Sequence, residues 1–262
     1  MRIRSVGHAL FAVSMIGLGV IGLSRGRFTP TWSGVPIGVP GRTAIAYLCA
    51  IILLLTGIGL LWRRTALLAS RVLLVSFVIW MIFVRLPRFF FAPTAVDTWW
   101  AVGDTAAMIA AAGVLYVWFA DSGEKALRTA RIFYGIGLIP FGLAHFTNLK
   151  DTTPLIPGWL PWHVFWAYFT GAAFIAAGVA IITGVFARLA ATLSAFQIGL
   201  FTLIVWVPIA MSGAATAPQW TEFLSSWVLT TVGWVVADSY RGMPWLAVGK
   251  LRLPVMSAQT AA

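Results

Sequence analysis

Residues Arg42 to Pro87 read RTAIAYLCAIILLLTGIGLLWRRTALLASRVLLVSFVIWMIFVRLP, and a shift of 121 residues lays them without a gap on His163 to Pro208, HVFWAYFTGAAFIAAGVAIITGVFARLAATLSAFQIGLFTLIVWVP. The shift brings Tyr47 onto Tyr168, Gly57 onto Gly178 and Pro87 onto Pro208. Leu and Ala coincide by chance in any two apolar helices, whereas matched prolines and glycines report matched backbone. Each copy holds two apolar runs of the roughly 20 residues that a helix needs to cross a bilayer core. The chain is therefore a tandem duplication of a membrane-spanning unit.

Upstream of the matched stretch, Pro36 and Pro40 fall on Pro157 and Pro161, and one residue of slippage pairs Ile16, Gly17, Leu18, Gly22 and Leu23 with Ile136, Gly137, Leu138, Gly142 and Leu143. Each half closes on Ala-Asp-Ser, at Ala120 to Ser122 and Ala237 to Ser239. Eight apolar segments result: Ser5 to Leu23, Thr43 to Trp62, Thr65 to Val84, Thr98 to Phe119, Ile132 to Phe146, Val164 to Phe186, Leu189 to Pro208 and Thr221 to Val236. The fifth is short and carries Pro140, which predicts a kink. The expected fold is an all-α membrane protein of about eight transmembrane helices, arranged as two parallel four-helix bundle repeats. Four spans is an even number, so both halves enter from one face, which disfavours an inverted-repeat transporter. The reading divides the chain into residues 1–122, a charged linker at 123–131, a second repeat at 132–241 and a tail at 242–262.

Composition agrees. The chain is 60% hydrophobic and 10% charged, with a mean hydropathy of +0.92, and so few polar side chains cannot coat a water-facing surface. Disorder and an ordinary water-soluble enzyme are excluded. The single cysteine, Cys49, excludes a disulfide framework or a CxxC pair. A net charge of +11 would point to nucleic acid in a soluble protein, but the cations sit between the apolar runs, so no nucleic-acid partner is expected. The partner they imply is the lipid bilayer.

With the N-terminus inside, Arg2, Arg4, Arg63, Arg64, Arg71, Lys125, Arg128, Arg131, Arg188, Arg241, Lys250 and Arg252 are cytoplasmic. Arg25, Arg27, Arg42, Arg85, Arg88 and Lys150 then lie outside, a ratio of twelve to six. Both termini are therefore expected in the cytoplasm, with the chain in the cell membrane. MRIR and the apolar run after it are read as a signal anchor, retained as the first span.

The second half carries a resemblance. The run GxxxxPFGLAHF (Gly135 to Phe146), the loop with Pro154, Pro157 and GWLP (Gly158 to Pro161), AYFTG (Ala167 to Gly171), Gly178 and ARLAA (Ala187 to Ala191) resemble the DoxX-like membrane family. That family is typically a four-helix unit, which matches one half. The first half departs from the pattern, with Ser24 or Arg25 where the second has His145. The resemblance implies an accessory role in membrane redox chemistry, with quinone or quinol as a possible ligand and a membrane redox protein as a possible partner.

Ionisable groups at membrane depth are costly, so the few present are the candidate ligand-binding residues. His145 closes the fifth span and His163 opens the sixth, which puts two imidazoles on one side of the membrane across one loop. A pocket between these spans is expected to be lined by His145, His163 and Trp166. Against this stands an interfacial reading, since Trp159, Trp162 and Trp166 mark the loop as an aromatic belt. No third ligand accompanies the two histidines, so no metal site is expected.

Asp97 and Asp104 lie two turns apart on one helical face, with Asp104 ~10 Å deeper. Arg85 and Arg88 on the preceding span are their expected ion-pair partners, either as a structural pair or as a polar inlet. Glu222, Ser226 and Thr230 form a polar stripe down the eighth span, which more often means packing than a pathway. His8 reads as an interface residue near Arg4. No P-loop, GxGxxG, HExxH, GxSxG or EF-hand pattern occurs in a usable context, which disfavours a self-sufficient enzyme.

Three functions stay open at this point. They are an accessory or small-lipophile-binding component of membrane redox chemistry, a small-solute transporter using the interface between the repeats, and a structural scaffold.

Overall fold

The computed structural model describes residues 4–248. Arg2, Lys250, Arg252 and the tail from 249 onward lie outside the described residues. Among the described residues eight long helices correspond one to one with the eight apolar segments. They are α1 (Val6–Arg25), α2 (Arg42–Leu61), α3 (Ala66–Phe91), α4 (Val96–Ala120), α5 (Gly123–Thr147), α6 (His163–Thr183), α7 (Ala187–Met211) and α8 (Ala217–Ser239). Six of them, α1 to α4, α6 and α7, are long and apolar enough to cross a membrane, and α5 joins them when taken with its bent continuation Leu149–Leu155. In lipid every backbone N–H and C=O must be satisfied within its own segment, which is why apolar runs of this length form helices. Leu55, Leu68, Phe83, Phe165, Phe196 and Leu203 are all more than half exposed, on an outer surface that only lipid tolerates. The protein is a multi-pass integral membrane protein.

Helix ends are set by local chemistry. The Ser5 hydroxyl accepts from the His8 N–H, and Thr216 forms a capping box with Gln219 at the start of α8. Gly26 and Gly184 end α1 and α6 in the left-handed conformation. The expected linker 123–131 is a difference: it forms the first turns of α5, which runs unbroken from Gly123 through Pro140 to Thr147. A charged surface stretch needs no loop when its residues continue a helix. Beyond Thr147 the chain bends by 88° into Leu149–Leu155.

Packing follows the duplication. α1 packs on α2 as α5 packs on α6, α2 on α3 as α6 on α7, and α3 on α4 as α7 on α8. The halves then close on each other, because α4 packs on α5, α8 on α1, and α4 on α8. The two repeats thus pack side by side and close into one ring of helices. Both repeats start on the same face, since the Gly7 N–H donates to Asp238 Oδ2 (3.0 Å) and Arg131 Nε of α5 donates to Ser239 Oγ (2.9 Å). On this terminal face burial pushes the Tyr240 phenol up to about 12, against the pull of the Arg131 guanidinium 4.1 Å over its ring.

Both copies of the repeat carry a feature that apolar patterning conceals. Met81–Arg85 in α3 and Thr202–Trp206 in α7 are single π-helical turns, 121 residues apart. Each lies just before the matched prolines, Pro87 and Pro208. A proline ring inside a helix clashes with the carbonyl four residues back, and the wider turn relieves this by moving bonding to five residues back, as in Leu86 N–H to Met81 O (2.9 Å).

His8, near Arg4 at the start of α1, is fully buried among the helices. Its Nδ1 accepts from the Arg4 N–H (3.3 Å), which leaves the Nε2 proton to bond the Leu60 carbonyl (3.0 Å), a neutral ring joining α1 to α2.

Candidate functional site

The helices of the second half, with α3, α4 and the α1–α2 loop of the first, enclose a cavity of about 860 Å³ on the side away from the termini. Phe141 and His145 of α5, Phe174 of α6, and Ile198, Phe201 and Trp206 of α7 form an aromatic wall. Arg88, Asp97 and Trp100 line it from α3 and α4, and Gln219, Glu222, Ser225, Ser226 and Leu229 from α8. The segment Leu149–Leu155 contributes Asp151, Thr152 and Leu155, and Ser33 and Gly34 reach in from the loop between α1 and α2.

His145 sits in the last turn of α5. A Cβ on Gly171 would lie 2.7 Å from the His145 Cβ, so the glycine that ends AYFTG makes the room in which this imidazole stands. Its Nδ1 donates to the Phe141 carbonyl at 2.8 Å, and the ring centroid lies 5.6 Å from Phe174 and 6.0 Å from Phe201. With Nδ1 committed to a carbonyl, the neutral imidazole has one free site, an acceptor at Nε2. His145 is 9% exposed.

The other two expected members of this pocket are elsewhere. His163 opens α6 and is half-buried, and Trp166 packs edge-on against Phe165 (5.5 Å) and Phe169 (5.8 Å). Neither lines the cavity. His145 ends α5 and His163 opens α6 across one loop, but α6 turns a different face, with Phe174, toward His145.

Arg85 also differs from expectation. It closes the π-helical turn of α3 and is 1% exposed. Its Nε donates to Thr105 Oγ1 (3.0 Å) and its Nη2 to Ser33 Oγ (3.3 Å), while Nη1 has no partner. Asp104 Oδ1 is likewise buried without a partner. Among the described residues the ion pairs are Arg131–Glu124 and Arg241–Asp238, both 2.7 Å, so neither Arg85 nor Arg88 pairs with Asp97 or Asp104. The α1–α2 loop supplies the hydroxyl that takes the place of the carboxylate. Glu222 and Asp97 face the cavity, with Arg85 and Asp104 behind that wall.

The polar stripe of α8 does both things that hydroxyls can do. Ser226 lines the cavity, and the Thr202 hydroxyl of α7 lies 2.7 Å from Ser226 Oγ and 3.1 Å from Thr230 Oγ1. Trp100, Phe141, Phe174, Phe201 and Trp206 were not singled out as site residues, since a membrane protein with 14 Trp and 18 Phe carries aromatics everywhere. The repeat marks one of them, since the 121-residue shift sets Phe201 on Trp80. Among the described residues no three His, Cys, Asp or Glu side chains gather as metal ligands.

No curated protein and no solved structure matches the chain. Residues 126–207 match the family model DoxX, so over this stretch, about a third of the chain and the source of the cavity's aromatic wall, the protein is similar to DoxX proteins.

Proposed function

We propose that the chain binds a small lipophile, with quinone or quinol as the leading class, as an accessory component of membrane redox chemistry. The observation that carries this reading is the cavity. Its volume of about 860 Å³ falls in the range of ligand sites, its wall is aromatic, and one imidazole with a free Nε2 stands in it. The redox assignment comes from the DoxX similarity of the same stretch. We take the membrane to be the cell membrane and read the terminal face as cytoplasmic, the orientation that the cation count supports. A cysteine introduced at Ser122 then reacts with an impermeant maleimide only from the inside, and labelling of intact cells from outside overturns this orientation.

The test of function is purification in mild detergent followed by mass spectrometry and optical spectra. A bound quinone or a co-purifying redox protein supports the proposal, and the absence of both sinks it. His145→Phe then removes activity while leaving folded yield nearly intact, and loss of yield instead makes His145 structural.

A second reading, a small-solute transporter, draws on the polar wall. Asp97 and Glu222 come from α4 and α8, where the two halves meet, and Arg88 from the end of α3. Solute uptake by proteoliposomes that is lost in Glu222→Gln would favour it.

A further inference from the structure

The first half shows what occupies the position that the second half leaves open. The 121-residue shift carries Ile198 back to Phe77, Phe201 to Trp80, Phe174 to Leu53 and Trp206 to Arg85. In the first half two of these positions, Phe77 and Trp80, pack against an indole. Trp32, on the loop between α1 and α2, is 2% exposed, stacks on Phe77 with centroids 4.8 Å apart and meets Trp80 edge-on at 5.0 Å. Its Nε1 is buried without a partner, so the ring is held by its flat faces. The same shift carries Trp32 forward to Thr153, and the one-residue slip carries it to Thr152. Thr152 lines the cavity. The second half therefore keeps the socket and lacks the plug.

We propose that the cavity beside His145 is a seat for a flat aromatic ring bearing a hydrogen-bond donor, held against Phe174, Ile198 and Phe201 as Trp32 is held in the first half. The inference rests on the reading of this cavity as a small-lipophile site and narrows it to planar ligands. The stack supplies shape: a ring lies between walls that a puckered, saturated skeleton of the same carbon count cannot approach as closely. His145 supplies the polar end, because its Nδ1 proton is held by Phe141 and Nε2 accepts. An indole in the first half and a hydroxylated ring in the second present the same combination, a planar body with one donor at its edge.

The experiment uses the full chain in detergent and three probes with the same fused-ring skeleton: 1-naphthol, decahydro-1-naphthol and 1-methoxynaphthalene. The readout is a saturable rise in unfolding temperature over that in ligand-free micelles. The expected result is that 1-naphthol saturates, and that the saturated alcohol and the methyl ether each bind at least ~10-fold more weakly, the loss of one well-made interaction. Ile198→Trp, which fills the socket from its floor, removes binding of all three. His145→Phe reduces 1-naphthol to the level of the ether, and His145→Gln, which keeps an acceptor, restores part of the difference.

Equal binding of decahydro-1-naphthol, still lost in Ile198→Trp, overturns the planar seat and leaves the small-lipophile reading standing. Saturation by none of the probes, or saturation unchanged in both Ile198→Trp and His145→Phe, overturns the seat outright. The co-purification measurement decides the wider reading independently.

Discussion

The two halves of the ring share backbone and differ in what fills it. In both, the third helix breaks into a π-helical turn ahead of a proline. In both, the first two helices cross through a glycine that admits no Cβ, at Gly57 against Ala12 O (2.9 Å) and at Gly178 against Gly135 O (2.6 Å). The first half then closes over Trp32, while the second leaves a cavity of about 860 Å³ reaching His145. The loop position that holds Trp32 in one copy holds Thr152 or Thr153 in the other, and the walls around it change too, from Phe77 and Trp80 to Ile198 and Phe201. Duplication lets one copy secure the fold while the other is released from that duty.

The largest test of this contrast removes the plug. Trp32→Ala is expected to cost ~3–5 kcal/mol, the range for a buried aromatic cut to Ala, read as unfolding free energy in micelles. A reciprocal exchange of the stacked position sharpens it. Phe77→Ile takes a wall away from the indole and is expected to cost ~1–3 kcal/mol, whereas Ile198→Phe grows into open space and changes stability by less than ~1 kcal/mol. Equal costs for the two exchanges would mean that both halves are packed alike and that the contrast fails.

A second comparison concerns how closely the halves approach each other. Gly17 and Gly137 are repeat equivalents, on α1 and α5. A Cβ on Gly137 would lie 2.7 Å from the Gly103 carbonyl of α4, whereas one on Gly17 would meet nothing within 4 Å. The α4–α5 crossing is thus set by backbone contact that its counterpart at α8–α1 does not repeat at Gly17. Gly137→Ala is expected to lose ~1–3 kcal/mol through forced separation of the helices. Gly17→Ala is expected to gain up to ~1 kcal/mol from helix propensity. Thermal unfolding of the two variants side by side checks both signs, and a loss at Gly17 would show a contact there that the structure lacks.

Which parts of this were legible beforehand follows from what an apolar sequence encodes. That the chain is all-α and crosses a membrane several times was readable, because a run of about 20 apolar residues has one solution in lipid. Helix rotation was not. α6 is apolar all round, so nothing in its pattern says that Phe174 and not Trp166 faces His145. Arg85 was legible as a costly buried cation, but its partner Ser33 lies 52 residues away on a loop, where no span pattern reaches. The π-helical turns add a residue to a turn and break the 3.6 period on which face assignment depends. The repeat held more than was taken from it: placing Trp32 over Thr152 and Thr153 is a statement about sequence alone, and its meaning as plug and socket needed the packing around Phe77.

The smallest effect tests whether the π-helical turns themselves differ between copies. Thr202 opens the turn in α7, and its hydroxyl lies within hydrogen-bonding distance of Ser226 and Thr230 on α8. Met81 opens the equivalent turn in α3, with no hydroxyl to offer α4. Hydroxyl bonds between helices in lipid contribute about 0.6 kcal/mol on average and rarely exceed ~1.7. Thr202→Val keeps the shape, removes both links and is expected to cost an amount in that range, whereas Met81→Leu is expected to change stability by less than ~0.5 kcal/mol as a volume-conserving exchange. Combining Thr202→Val with Ser226→Ala then costs less than the sum of the single changes, because both remove the same 2.7 Å bond. Strict additivity would mean that the hydroxyls do not bond each other. The α7–α8 contact would then rest on shape alone, as the α3–α4 contact does at Met81.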